Sequence, residues 1–157
     1  MRKNIKIFAV LFQPIVIVLF FCYAIAPIYF GKDVIMPTNG YDPRDYFRGD
    51  YVDLRYDFND MSSSVSEDGN FSVIYALLDE KDGIYYTKSI SKIKPKDGLY
   101  IRGFLYDYRS KFGVENYFLP PKQAKNLESD LMDVNTTIYA NLRILNGEAR
   151  IIGLKTK

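Results

Sequence analysis

A long uncharged run near the N-terminus is the feature that most limits how this chain can fold. No Asp, Glu, Lys or Arg occurs between Lys6 and Lys32, and almost every residue from Ile7 to Phe30 is apolar. At about 1.5 Å per residue, a helix of this length can cross a hydrocarbon core of roughly 30 Å. The run therefore predicts a transmembrane helix, in which Pro14 is tolerated as a local kink.

The charged residues that flank the run predict its orientation. Arg2, Lys3 and Lys6 precede it, whereas Lys32 lies at its far end beside Asp33. Because short basic flanks stay in the cytoplasm, we expect a single-pass protein with a cytoplasmic N-terminus and an extracytoplasmic C-terminal part.

A cleaved signal peptide is the alternative interpretation of the same run. Ala24-Ile25-Ala26 has the small-x-small pattern of a cleavage site. Pro27 would then be the first mature residue, which suits peptidases poorly, so retention of the anchor is favoured. Cys22 lacks the preceding small residues of a lipoprotein box and is expected to be an apolar residue of the span.

Composition limits the chemistry that residues 31–157 can perform. Without Arg2, Lys3 and Lys6 the chain has 18 bases against 19 acids, a net charge of −1, so no nucleic-acid partner is expected. The chain has no histidine, and its one cysteine lies in the apolar run. These absences argue against Ser-His and Cys-His nucleophiles, zinc or copper sites of the usual kinds, and disulfides. We therefore expect no cofactor and no metal site.

Alternating apolar residues and turn signals predict a β domain after the anchor. From Tyr51 to Phe58 the apolar residues recur at every second position, which is typical of a half-buried strand. The other predicted strands are Phe71–Leu78, Ile84–Ile93, Leu99–Tyr108, Val114–Leu119, Thr136–Leu145 and Ala149–Leu154. Asn146-Gly147 between the last two is the strongest hairpin signal. Lys122–Leu131 is the one predicted short helix.

The predicted architecture is mainly β, with an N-terminal transmembrane helix before a small antiparallel β sandwich or barrel-like domain that carries one short helix. Residues 1–30 are the cytoplasmic stub and anchor, residues 31–48 an irregular connector, and residues 49–157 the extracytoplasmic β domain.

Three ordered blocks of sequence carry a resemblance to a known family. The octet Gly49-Asp50-Tyr51-Val52-Asp53-Leu54-Arg55-Tyr56 has the pattern G-D-Y-x-x-L-x-Y. The second block is Gly113-Val114-Glu115-Asn116-Tyr117-Phe118-Leu119-Pro120, and the third is the closing hairpin that ends at Leu154. From about Asp42 onward the chain resembles the GDYXXLXY family of bacterial membrane-anchored proteins. The resemblance implies a periplasmic domain on the inner (cytoplasmic) membrane and an integral membrane protein as partner beside the lipid bilayer, but no particular reaction.

The octet is a candidate for a folding role or an interaction role. Gly49 can take a positive φ at the corner into the strand, and Asp50 can accept backbone N–H bonds that stabilise the turn. Tyr51 and Tyr56 lie on opposite strand faces, so one can pack in the core while the other meets a partner. Together with Leu54, these residues favour a folding role.

Alternating charges before the octet form a possible polar cluster of Asp42, Arg44, Asp45 and Arg48. Its carboxylates could hold a hard cation. The spacing matches no calcium loop, however, so pairing of opposite charges at a turn is favoured, each exposed pair contributing at most about 1 kcal/mol.

The second block contains Gly113, Glu115, Tyr117, Phe118 and Pro120 as candidate site residues. Glu115 with Tyr117 suggests an acid and a polarising hydroxyl. Because no histidine and no evident nucleophile lie near them, a structural role is favoured and no catalytic residue is assigned.

A row of aromatic residues along one predicted strand is a further candidate. Tyr100, Arg102, Tyr106 and Tyr108 could line a groove for a peptide or glycan, but packing of these tyrosines in the core is favoured.

Two function classes remain open. The favoured one is a membrane-anchored accessory or protein-interaction domain; the alternative is a membrane-anchored hydrolase or peptidase-like enzyme. The segment Arg48–Val52 resembles the Arg-Gly-Asp-x-Val segment of type I signal peptidases, but Ile35 precedes Met36 where those enzymes have a serine nucleophile.

Overall fold

The computed structural model describes residues 2–41, 51–62, 71–107, 109–118 and 137–156, and it begins with a long helix. Helix α1 spans Arg2–Phe30 and contains two prolines. Its Phe12–Phe30 part is long and apolar enough to cross a membrane, and almost none of it is buried against the protein. A signal sequence near an N-terminus has the same length and composition.

The described residues after α1 form nine strands and one short helix. Their bounds are β1 Lys32–Tyr41, β2 Tyr51–Arg55, α2 Asp57–Met61, β3 Ser72–Lys81, β4 Ile84–Ser91, β5 Leu99–Tyr106, β6 Arg109–Lys111, β7 Asn116–Phe118, β8 Ile138–Leu145 and β9 Glu148–Thr156. One sheet has the order β7-β2-β1-β8-β9 and the other β4-β3-β5-β6. Every strand pair is antiparallel, which confirms the predicted fold class.

Residues from both sheets build one core. Ile74 and Ile101 of the four-stranded sheet are fully buried together with Leu142 and Met36 of the five-stranded sheet. Along β8 every second residue is buried, as expected for a sheet with one face on the core.

The predicted Asn146-Gly147 hairpin is confirmed, and Asp82-Gly83 forms a second hairpin of the same kind. Asn146 and Gly147 connect β8 to β9 with φ values of 51° and 85°, and Asp82 and Gly83 connect β3 to β4 with φ values of 55° and 78°. Two successive positive φ values are the conformation that Asn-Gly and Asp-Gly favour in two-residue hairpins.

The prediction that residues 31–49 lack regular structure is wrong for Lys32–Tyr41. This segment is β1, the middle strand of the five-stranded sheet, paired with β8 over Lys32–Thr38 and with β2 over Asn39–Tyr41. Turn-forming residues misled the sequence interpretation, whereas burial of Val34 and Met36 on the core face stabilises the strand. Pro37 lies in the part of β1 that pairs with β8 but not with β2, and a strand with one paired neighbour tolerates proline.

The predicted strand Tyr51–Phe58 is too long, because β2 ends at Arg55 and α2 begins at Asp57. Asn59 reverses the chain there: its side-chain oxygen accepts a 2.9 Å bond from the Tyr56 N–H, and its own N–H donates to the Tyr56 carbonyl at 3.0 Å. The apolar alternation still predicted burial correctly, since Phe58 lies in the core. The predicted helix Lys122–Leu131 lies outside the described residues.

Candidate functional site

The first two sequence blocks meet in the structure. Strand β2 of the octet pairs with β7 of the second block, with Tyr51 opposite Phe118 and Val52 opposite Tyr117. The ladder is extended by the Leu54 N–H, which donates a 2.6 Å bond to the Glu115 carbonyl. Two segments that are far apart in sequence therefore form one structural unit.

Several predicted site residues lie outside the described residues. They are Gly49, Asp50, Pro120 and the whole polar cluster of Asp42, Arg44, Asp45 and Arg48.

The Glu115 carboxylate binds the backbone of the turn that leads into β7. One oxygen accepts from the Phe112 N–H, and the other accepts from the Gly113 N–H at 2.8 Å. Gly113 has a φ of 80°, which only glycine adopts without strain. Both carboxylate oxygens therefore accept hydrogen bonds from the main chain, which gives Glu115 a turn-stabilising role.

Leu54 and Tyr56 of the octet lie in the core. Each is 1% exposed. The Tyr56 ring stacks on Phe58 with 4.8 Å between centroids, and Phe58 contacts Phe112 at 4.4 Å. The aromatic stack therefore joins the end of the octet to the residue just before the second block.

The hydroxyl of Tyr56 is the unusual atom of this unit. It is buried and has no hydrogen-bond partner among the described residues, although buried tyrosine hydroxyls usually have one. Burial, together with the negative charge of Glu115, raises the pKa of the Tyr56 phenol well above its usual value. The phenol therefore stays protonated across the physiological pH range.

Helix α2 connects the unit to the four-stranded sheet. The Asp57 carboxylate accepts bonds from the Thr87 N–H at 2.7 Å and from the Thr87 hydroxyl at 2.5 Å. At the other end of α2, the buried Ser62 hydroxyl donates to the Asn59 carbonyl at 2.8 Å and is hydrogen-bonded to the Ser110 hydroxyl at 2.7 Å. Sequence reasoning assigned no role to Asp57 or Ser62, since their contacts with the four-stranded sheet depend on residues distant in the chain.

The match to a known family covers most of the chain. The family model of the GDYXXLXY protein matches residues 13–154, from within α1 to near the end of β9. The chain belongs to the GDYXXLXY family. No curated protein and no solved structure shows significant similarity to it.

The four-stranded sheet of this GDYXXLXY domain carries aromatic side chains on its outer face. On β5, Ile101 and Leu105 face the core, so Tyr100, Phe104 and Tyr106 face outward. Phe71, which is 63% exposed, stacks on Phe104 at 5.5 Å, and Tyr75 contacts Tyr100 edge-on at 5.8 Å. We call these five residues, Phe71, Tyr75, Tyr100, Phe104 and Tyr106, the outer aromatic row.

The outer aromatic row corrects the prediction that the tyrosines of this strand pack in the core. Tyr106 is 66% exposed, and Arg102 is exposed beside it. The alternation along β5 explains the outcome, because Gly103 shares the inner face with Ile101 and Leu105 and leaves Tyr106 on the other face. A Cβ on Gly103 would lie 2.5 Å from the Phe112 ring, so glycine is needed at this inner position. Tyr108 lies outside the described residues.

The end of α1 is held closely against the GDYXXLXY sheet. Pro27 is buried, and its carbonyl accepts a 2.9 Å bond from the Gly31 N–H. Arg143 of β8 donates to the Ile28 carbonyl and pairs with Asp33 at 2.7 Å. A Cβ on Gly31 would lie 2.3 Å from the Pro27 oxygen and 3.0 Å from the Ile144 nitrogen, so glycine is needed here.

Among the described residues, no group of three or more His, Cys, Asp or Glu side chains could hold a metal ion. The Glu115 carboxylate accepts from two backbone N–H groups, and the Asp57 carboxylate accepts from the Thr87 N–H and hydroxyl. In the described part of the site, these carboxylates therefore stabilise the fold.

Proposed function

We propose that this protein is a membrane-anchored accessory domain that binds an integral membrane protein. In this proposal α1 spans the inner membrane of a bacterium once, with Arg2, Lys3 and Lys6 in the cytoplasm and the β domain on the extracytoplasmic side. The observation that carries the proposal is the tight contact between the end of α1 and β8.

That contact restricts how the domain can turn relative to the helix. Gly31 alone separates α1 from β1, and Arg143 binds both the last turn of α1 and the first residues of β1. A flexible tether would instead consist of several solvated Gly or Ser residues. A domain held in this way presents the same face to any neighbour in the membrane, which reduces the entropy lost on binding.

The outer aromatic row is the surface that we assign to the partner. Aromatic residues and arginine are enriched at the centres of protein interfaces, where they bury large areas. Tyr106 and Phe71 are more than half exposed, whereas Arg102 next to them already pairs with Glu148. An extracytoplasmic loop of a membrane protein with apolar side chains would complement this surface.

Photocrosslinking in intact membranes tests the partner. A photoreactive amino acid at Tyr106 should capture an integral membrane protein, whereas the same group at the exposed Lys155 of β9 should not. Equal capture at both positions would place the contact elsewhere. Recovery of no membrane protein, combined with labelling of one serine by a hydrolase probe, would favour the enzyme alternative.

Reporter fusions at Lys157 test the topology separately. An active alkaline phosphatase and a dark green fluorescent protein are expected for an extracytoplasmic C-terminus. The opposite pair of results would reverse the orientation, and a mature chain that begins near Pro27 would identify the run as a signal peptide.

A further inference from the structure

The loop between β4 and β5 combines exposed positive charge with an exposed apolar side chain. Its first residues are Lys92-Ile93-Lys94-Pro95-Lys96, and we call this segment the basic loop. Ile93 is 79% exposed, more than the other large apolar side chains whose exposure is described, including those of α1. Isolated exposed apolar residues are common, but Ile93 lies between Lys92 and Lys94, so this loop combines an apolar side chain with positive charge.

The lysines of the basic loop have no acidic partner among the described residues. Lys92, Lys94 and Lys96 are all exposed, and the ion pairs of the described residues involve other bases. Lys94 instead lies over the Tyr100 ring, with its Nζ 5.7 Å from the centroid. Among the described residues, no acidic side chain neutralises this positive charge.

A chain of contacts links the basic loop to the start of β1, just after the end of α1. Lys32, which Gly31 separates from α1, pairs with Ile144, two residues before the turn that joins β8 to β9. In that turn, the Gly147 carbonyl accepts a 2.8 Å bond from the Arg102 N–H. Gly147 also packs against Tyr100, since a Cβ on it would lie 2.5 Å from the ring. The Tyr100 ring in turn contacts Lys94 of the basic loop.

We propose that the basic loop binds the anionic phospholipid headgroups of the bilayer that α1 crosses, with Ile93 inserted at the headgroup boundary. The proposal rests on the proposed membrane span. Lysines near a membrane surface are attracted by its negative potential, and an apolar side chain between them gains by leaving water. This second contact would add to the Gly31 junction in holding the domain at a defined tilt on the membrane.

Tryptophan fluorescence tests this contact directly, because the chain contains no tryptophan. The variant Ile93→Trp places a single fluorophore on the basic loop of the full chain. Tyr106→Trp is the matched control, since it is exposed on the same sheet but lies about 20 Å farther along β5 than Tyr100. Both variants are reconstituted in nanodiscs of phosphatidylcholine, with or without phosphatidylglycerol, and with brominated acyl chains as quencher.

The expected result is a blue shift and loss of Ile93→Trp emission in the discs that contain phosphatidylglycerol, with Tyr106→Trp unchanged. Replacing Lys92, Lys94 and Lys96 with glutamine in the Ile93→Trp chain should abolish the effect of phosphatidylglycerol. Near-UV circular dichroism checks that the exposed substitutions leave the fold intact.

Three outcomes overturn the inference, and they are distinguishable. If the chain does not co-elute with the discs, the proposed span fails and this contact fails with it. If it co-elutes but Ile93→Trp emits and resists quenching like Tyr106→Trp, only the basic-loop contact fails. Equal quenching in neutral and anionic discs would refute recognition of anionic headgroups.

Discussion

Replacing Glu115 with alanine removes the side chain that joins the second sequence block to its own turn. The carboxylate accepts from the Phe112 and Gly113 N–H groups, of which the first bond is partly buried and the second exposed. Alanine leaves both donors without this acceptor, while the Glu115 carbonyl can still accept from Leu54. The expected result is a folded but less stable domain.

The magnitude follows from the two bonds. A hydrogen bond to a charged group contributes about 1.5–3 kcal/mol, and a neutral or well-solvated one about 0.5–1.5 kcal/mol. We therefore expect Glu115→Ala to lower the free energy of unfolding by about 2–4 kcal/mol. Glu115→Gln retains one acceptor oxygen and should lose about half as much.

Urea unfolding of the full chain in a mild detergent measures this loss. Near-UV circular dichroism follows the transition, because the chain has 14 tyrosines to report tertiary packing, and linear extrapolation gives the free energy. Lys88→Ala is the control: Lys88 and its partner Asp79 are both more than half exposed, so that pair should contribute at most about 1 kcal/mol. If Glu115→Ala is no more destabilising than Lys88→Ala, the turn-stabilising role of Glu115 is wrong.

Three further substitutions test the core, the junction and the buried phenol. Leu54→Ala should cost about 2–5 kcal/mol in urea unfolding because it leaves a cavity, whereas Leu54→Met should cost less than about 1.5 kcal/mol; equal losses would contradict this. Gly31→Ala should lower the thermal midpoint because its Cβ would lie 2.3 Å from the Pro27 oxygen, whereas Gly153→Ala, which meets nothing within 4 Å, should not. Tyr56 has a pKa raised by burial in the folded state, so the unfolded chain ionises first and stability falls as the pH rises above about 10. Tyr56→Phe should reduce that alkaline loss in urea titrations, and an unchanged slope would refute the assignment.

The local patterns of this sequence predicted the parts of the fold that depend on neighbouring residues. An uncharged apolar run predicted α1, and Asn146-Gly147 predicted its hairpin because two positive φ values are required there. Alternation also predicted that Leu54, Tyr56 and Phe58 would be buried. Period-two patterns set the two faces of a strand without reference to the rest of the chain.

Pairing between distant segments decided which segments become strands and which strand face is buried, neither of which the local patterns determine. The turn-forming residues around Pro37 indicated an irregular connector, so strand β1 was not predicted. Its burial depends on pairing with β8, which lies about a hundred residues later in the chain. Tyr106 faces outward because Ile101 and Leu105 of the same strand face the core. A shift of the strand register by one residue would have turned Tyr106 toward the core.

The candidate site shows the same division. The octet and the second block could be recognised from their residues, but their pairing through β2 and β7 could not, because a single sequence contains no register between strands. The binding of Glu115 to the Phe112 and Gly113 amides, and of Asp57 to Thr87, exists only after the chain has folded back on itself. The residue types in the sequence determined which groups can donate or accept hydrogen bonds. The tertiary structure decided which donors and acceptors lie close enough to bond, because buried polar groups need partners and the fold selects the available ones.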